Sequence, residues 1–297
     1  MEQLIAPTLI ALIKHLPKPL KIGGTTLRNR FSMSSISRNR SDNTYPNVLN
    51  GEYFYQRALE EAGFICAGGA LIEAQGTSMR ETPQIDTYEH MLAWKKGVDK
   101  VHQVPGAIQA RMVIAPDSDG VYDPEPGLAK AYSTPTAIEN PKDIVEQFRK
   151  SAFLAKEAGF DGVELHGANG YLVAQFLDDT VNIRTDSYGG SVENRFGARI
   201  KSVSNYLPHW GVGMFLVERQ IEQITCLIKE LDKRPLAYIN LVRYLEWMDM
   251  EVDGKMRGPV HDVWATYCHL IKNAKSFLNG AISLVEAEEL LQKGQAT

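Results

Sequence analysis

The chain alternates short runs of consecutive apolar residues with longer stretches in which apolar positions recur every three or four residues. The short runs read as buried strands and the periodic stretches as helices with one apolar face. Strands are predicted at residues 30–35, 64–66, 107–115 and 161–166, with weaker candidates at 212–217, 236–242 and 281–284. Helices are predicted at residues 52–62, 88–104, 141–158, 191–206 and 285–293. The helix ends carry their own signals. Gly63 stops the first, and Pro105 with Gly106 stops the second. Asn140 can cap the third, Pro141 suits its first turn and Gly159 ends it, while Ser191 can cap the fourth.

Strand followed by helix, repeated, implies parallel β-structure with crossover helices. About seven such units are visible, and a closed barrel of this kind needs eight. The expected fold is α/β, a (β/α)8 TIM-type barrel that is incomplete toward its C-terminal end. Residues 1–18 read as an N-terminal extension and residues 19–297 as one barrel domain. Residues 115–135, rich in Pro, Asp and Gly, read as one long surface loop.

Composition narrows the partners. The 297 residues are 44% hydrophobic and 23% charged, which is ordinary for a globular chain and excludes disorder as the main state. With 32 basic and 36 acidic residues the net charge is −4, and no basic stripe offers itself to nucleic acid. No apolar run approaches the roughly 18 residues of a membrane span. Cys66, Cys226 and Cys268 are widely spaced without any CxxC pair, as expected of buried thiols in a reducing, cytoplasmic setting. The histidines show no metal-ligand spacing, so no metal is expected. Residues 117–123 superficially resemble a calcium loop but lack its twelfth-position glutamate, and they read as a solvated turn. Gly23–Gly24 reads as a turn between two opening strands.

The chemistry concentrates after the strand at 161–166. There His166, Asn169 and Tyr171 follow one another within HGANGYL. In barrels the C-terminal ends of strands carry the active site. Two convergent side-chain donors can hold a carbonyl oxygen and stabilise negative charge on it. A neighbouring phenol, with an ordinary pKa of about 10, can deliver a proton. On spacing alone the plainer reading, a helix-capping histidine and a core tyrosine, stands on equal footing.

The longer motif tips the balance. HGANGYL, QFL and N-x-R-x-D-x-YGGS-x-ENR, nearly unbroken to Arg195, resemble the signature of the old yellow enzyme family, the FMN-dependent NAD(P)H ene-reductases. The segments PLKIGGTTLRNR from Pro19, EYFYQRA from Glu52 and WKK-x-VD-x-VH from Trp94 resemble that family's opening, first helix and a later helix. The resemblance covers most of residues 19–200. It implies an eight-stranded barrel with FMN at its mouth, reduced by NAD(P)H, and hydride transfer to the β-carbon of an α,β-unsaturated carbonyl compound. It implies that His166 and Asn169 bind the carbonyl oxygen and that Tyr171 protonates the α-carbon. It also implies flavin contacts at Ser37, in the place of a threonine, at Ser35, at Gly69 and at Gln109. The substrate it implies is a small or medium-sized conjugated carbonyl compound, of the kind met in secondary metabolism.

The chain departs from the family pattern on the flavin side. After Gln109 it reads ARMVIAP instead of LWH-x-GR, residues 213–218 contain no arginine, and FLNGAIS at residues 277–283 lacks paired glycines. The substrate end is thus the better kept. This leaves two further readings: a flavin-independent acid–base isomerase, epimerase or cyclase using the same three residues, and an inactive truncated relative.

Overall fold

The computed structural model describes residues 13–74, 81–114, 137–168, 171–179, 181–197, 211–216, 221–243, 251–252, 255–256 and 261–294. In chain order these form β1 (Leu20–Ile22), β2 (Thr25–Leu27), β3 (Ser32–Met33), α1 (Val48–Leu59), β4 (Phe64–Leu71), α2 (Tyr88–Val101), β5 (Gln109–Ile114), α3 (Pro141–Glu157) and β6 (Gly162–His166). There follow α4 (Leu172–Leu177), α5 (Val192–Gly197), β7 (Gly211–Leu216), α6 (Ile221–Leu231), β8 (Tyr238–Val242), β9 (Glu251–Val252), β10 (Lys255–Met256), α7 (Val263–Tyr267), β11 (Lys275–Asn279) and α8 (Leu284–Gln292).

Seven of these strands make one all-parallel sheet in the order β3-β4-β5-β6-β7-β8-β11. Apolar side chains divide between its two faces. Ala110 and Met112 of β5 belong to an inner cluster with Phe64, Cys66, Tyr238 and Val242. Ile65, Ala67, Val163 and Ile239 belong to an outer cluster with the helices, including Trp94, Phe148, Ala155 and Leu227. A strand that buries both faces needs apolar residues at nearly every position, and β4, β6 and β8 are buried throughout. Each fully buried Leu or Ile contributes about 1.5–3 kcal/mol.

The sheet curls until its outermost strands meet. Asn279 Nδ2, at the end of β11, donates to Ser34 Oγ, just after β3, at 2.7 Å. Phe277 of β11 lies edge-on to Phe64 of β4 with ring centroids 5.7 Å apart, and stacks on Tyr238 at 4.5 Å. The antiparallel β1–β2 hairpin closes the N-terminal end of this wall, with Leu20, Ile22 and Leu27 in the inner cluster. Gly23 turns the hairpin at φ 49°, and a Cβ there would lie 3.2 Å from Ala237 Cβ.

Element ends follow local chemistry. Helix α1 begins at residue 48, four residues before its expected start, because Asn47 and Asn50 form a reciprocal capping box. Helices α2, α3 and α8 are capped by Thr87, Asn140 and Ser283. The predicted strand at 281–284 does not exist. Gly280 and Ala281 adopt φ 103° and 48°, which no strand tolerates, and Ser283 then starts α8. The strand of this unit is instead β11. The expected strand at 30–35 shortens to Ser32–Met33. Of the helix expected at 191–206, Val192–Gly197 is seen and the remainder lies outside the described residues, as do the loop at 115–135 and the calcium-like stretch within it.

Glu288, on α8 and only 4% exposed, ties the N-terminal segment to the C-terminal helix. Its carboxylate accepts backbone N–H bonds from Lys14 at 2.8 Å, His15 at 2.9 Å and Leu16 at 3.1 Å, and contacts His15 Nδ1 at 2.7 Å. Burial pushes its pKa up, but the His15 ring and these N–H donors outweigh it and hold the group down at about 2. The stabilisation is complete above the ordinary carboxylate range and is lost as pH falls toward 2. Glu288→Gln is expected to cost ~1.5–3 kcal/mol, because bonds to a charged acceptor are lost and N–H groups are left unmatched. A fall of several degrees in Tm at neutral pH, shrinking below pH 4, is the check; an unchanged Tm would show the clamp to be idle.

Candidate active site

The C-terminal ends of the parallel strands form one rim, and β6 delivers His166 to it. Strand alternation puts Glu164 and His166 on the inner face. Below the rim, Glu164 is fully buried and accepts Cys66 Sγ at 3.4 Å and Asn240 Nδ2 at 3.4 Å. Burial raises the Glu164 carboxyl and raises the Cys66 thiol well above its ordinary value. This layer is a buried, hydrogen-bonded floor. His166, 4% exposed, stands on it, and burial lowers its imidazole to about 3. At neutral pH the ring is uncharged, so it can polarise an oxygen through one N–H without donating its proton outright.

Tyr171 comes next. The chain turns back at Ala168, whose carbonyl accepts the Tyr171 N–H at 3.2 Å, and Tyr171 is the N-terminal boundary residue of α4. Its ring meets the His166 ring edge-on, with centroids 4.8 Å apart, and is half-buried. An uncharged imidazole and a phenol thus share one position at the rim. Asn169, the third expected residue, lies outside the described residues.

The rest of the long motif braces this loop. Asn182 Nδ2 donates to the carbonyls of Phe176 at 2.9 Å and Tyr188 at 2.8 Å, across the end of α4. Arg184 pairs with Asp186 and reaches the Ile138 carbonyl at 2.6 Å. Gly189 is obligatory, since a Cβ there would lie 1.9 Å from the Arg184 carbonyl oxygen.

The four residues expected on the flavin do not converge. Gly69 is buried near the C-terminal end of β4, beside a register shift between Ala67 and Ala70. Ser35 is close by and donates to the Ala67 carbonyl at 3.1 Å. Ser37, in contrast, is exposed and lines a cavity on the outer side of the wall with Trp94 and Arg111. Gln109 is the first residue of β5, with its N–H on Asp161 Oδ2 at 2.8 Å. It therefore sits at the end of the wall opposite the rim.

One group at the rim escaped the sequence reading. Arg243 directly follows β8, and a Cβ on Gly280 would lie 3.2 Å from its Cβ. Its guanidinium pairs with Glu286, in the first turn of α8, at 3.0 Å through Nη1. The signal was present, an arginine at the end of an apolar strand, but only the fold brings it beside the turn at Gly280. The rim thus fits a flavin in chemistry: hydroxyls at Ser34 and Ser35, a wall without a side chain at Gly69, and a guanidinium at a left-handed turn ahead of a helix N-terminus. Among the described residues, no group of three His, Cys, Asp or Glu could hold a metal ion, and no helix is long and apolar enough to cross a membrane.

Comparison with known proteins agrees with this fold. Residues 15–200 match the model of the NADH:flavin oxidoreductase / NADH oxidase family. The chain is 34% identical to 12-oxophytodienoate reductase 1 of Oryza sativa subsp. japonica over 302 residues, covering 93% of the chain and 73% of that protein. It spans 65% and 51% of two further rice relatives of the same kind. Among solved structures, morphinone reductase in complex with tetrahydroNAD superposes with a TM-score of 0.79 at 27% identity, over 95% of this chain and 85% of that one. The old yellow enzyme from Trypanosoma cruzi superposes with a TM-score of 0.81 at 23% identity, over 95% and 86%, and speaks for the (β/α)8 barrel fold alone.

Proposed function

Because this chain belongs to the NADH:flavin oxidoreductase / NADH oxidase family, as an old yellow enzyme-type member, we propose that it reduces the activated C=C bond of a small or medium-sized α,β-unsaturated carbonyl compound. The observation that carries this reading is the buried, uncharged His166 ring edge-on to the Tyr171 phenol at the C-terminal rim of the parallel wall. The relatives above are reductases, which favours reduction over the isomerase, epimerase or cyclase reading and over an inactive relative.

His166 binds the substrate carbonyl oxygen through its N–H, with Asn169 as the second donor that the motif supplies. A neutral donor in a water-poor site stabilises the enolate charge that develops on that oxygen. Tyr171 holds the proton destined for the α-carbon, and the imidazole keeps its phenol oriented toward the same oxygen-bound substrate. When bound, FMN reduced by NAD(P)H supplies the hydride. Gly69 would leave room for its ring, Ser35 would offer it a hydroxyl, and Arg243 with the turn at Gly280 would hold its phosphate. Ser37 and Gln109 stand apart from this group of residues.

The test is direct. The purified chain reconstituted with FMN is expected to be yellow and to consume NAD(P)H with 2-cyclohexen-1-one. Arg243→Met is expected to weaken FMN binding by about 10–100-fold, the worth of a charge-assisted contact. A colourless protein that leaves NAD(P)H untouched would overturn the reading.

A further inference from the structure

A second cavity lies on the other side of the barrel wall. It has a volume of about 260 Å³ and sits between the outer face of β4–β5 and helices α1 and α2. Since Ala110 and Met112 point inward, Arg111 between them points out, into this cavity. Arg111 is 0% exposed, and none of its three guanidinium nitrogens has a hydrogen-bond partner. Its guanidinium carbon lies 3.9 Å from the Trp94 ring centroid, so the flat face is stacked and the N–H edge is left open. Burial pushes this guanidinium down to about 9. An unpaired cation in an apolar enclosure costs several kcal/mol even after relaxation.

A second buried group is also unmatched. Asn39 lines the same cavity, and its Oδ1 is buried without a partner. Three aromatic rings, Tyr53 and Phe54 of α1 and Trp94 of α2, also line it. At the exposed rim the Arg38 guanidinium carbon lies 5.2 Å from the Tyr53 ring centroid. The cavity thus presents one buried cation, Arg111, one buried acceptor and flat apolar walls, with the exposed Arg38 and Arg40 at its mouth, and it opens to solvent.

We propose that this outer cavity binds a small aromatic carboxylate, held by its carboxylate on Arg111, by its ring against Tyr53, Phe54 and Trp94, and by a ligand hydroxyl or amino group on Asn39 Oδ1. A guanidinium fork takes a carboxylate through two parallel hydrogen bonds. The volume is right, since a dry apolar cavity of about 150 Å³ already accepts benzene. The site is separate from the rim that holds His166, and its proposal does not depend on the reaction proposed there.

Calorimetric titration of the whole chain with phenylacetate, mandelate and phenylacetamide tests this. Phenylacetate is expected to bind about 10–100-fold more tightly than its neutral amide, the range for a charge-assisted contact. Mandelate, with its added hydroxyl, is expected to exceed phenylacetate, and Asn39→Ala is expected to erase that advantage while sparing phenylacetate. Arg111→Met should abolish the preference for the carboxylate and leave Tm unchanged or raised without ligand, because it removes an unpaired buried cation. Tyr171→Phe should change none of these affinities. Equal binding of acid and amide, a preference that survives Arg111→Met, a Tm that collapses in that variant, or affinities that fall in Tyr171→Phe would each overturn the proposal.

Discussion

Tyr171→Phe is expected to lower turnover of 2-cyclohexen-1-one by about 10²–10⁴-fold, the range by which a positioned general acid accelerates a reaction. The substitution removes one oxygen atom and keeps the ring that meets His166 at 4.8 Å. Packing, stability and FMN content should therefore be unchanged. KM should move little, since oxygen binding is assigned to His166 and Asn169. Oxidation of NAD(P)H with molecular oxygen as acceptor needs no proton on carbon and should survive. That split separates a proton donor from a structural tyrosine. A variant that turns over the enone at the native rate would show that the proton comes from solvent, and Tyr171 would lose its role.

His166→Leu is expected to reduce kcat/KM by about 10²–10³-fold, as removal of one oxyanion donor does elsewhere. Its pH behaviour is more diagnostic. The imidazole is held at about 3 by burial, well below the ordinary value near 6.5. Between these values the unfolded chain binds a proton that the folded chain refuses. Stability is therefore complete above about pH 6.5 and falls as the solution is acidified, by up to about 1.4 kcal/mol per pH unit. His90, also lowered by burial although Asp86 raises it, adds a slope of the same sign. The difference between native and His166→Leu isolates one residue. Denaturant unfolding between pH 4 and 7 should show a shallower acid slope in the variant. A kcat/KM profile should carry no inflection near 6.5 from His166. Identical slopes, or activity that follows an imidazole titration, would place the ring in water.

The sequence was most legible where backbone chemistry is local. Asn140, Pro141 and Gly159 bound α3 as written in the chain, because caps and breakers act within a turn or two of themselves. The parallel units follow from apolar strands alternating with amphipathic helices, a pattern that needs no knowledge of partners. Legibility failed where a distant group decides. The start of β11 is set by Asp232, whose carboxylate accepts N–H bonds from Lys272 at 3.0 Å, Asn273 at 2.9 Å and Ala274 at 3.0 Å, some forty residues away. The strand expected at 281–284 failed because Ala281, a residue with no preference for positive φ, was drawn into a left-handed turn behind Gly280. Gln109 and Ser37 were placed by matching order along the chain, and order says nothing of which end or face of a strand a side chain reaches.

The amino-acid order by itself determined the repeating strand–helix architecture and the presence of an imidazole, an amide and a phenol within six residues at a strand's C-terminal end. Both are short-range properties, written in periodicity and in one contiguous motif. Only the tertiary structure decided that His166 is buried and uncharged above a buried, hydrogen-bonded floor, that Arg243 joins the rim, and that Arg111 faces outward onto Trp94 instead of inward. Burial, protonation and facing depend on which strands curl together around them, and that is a sum over contacts from the whole chain.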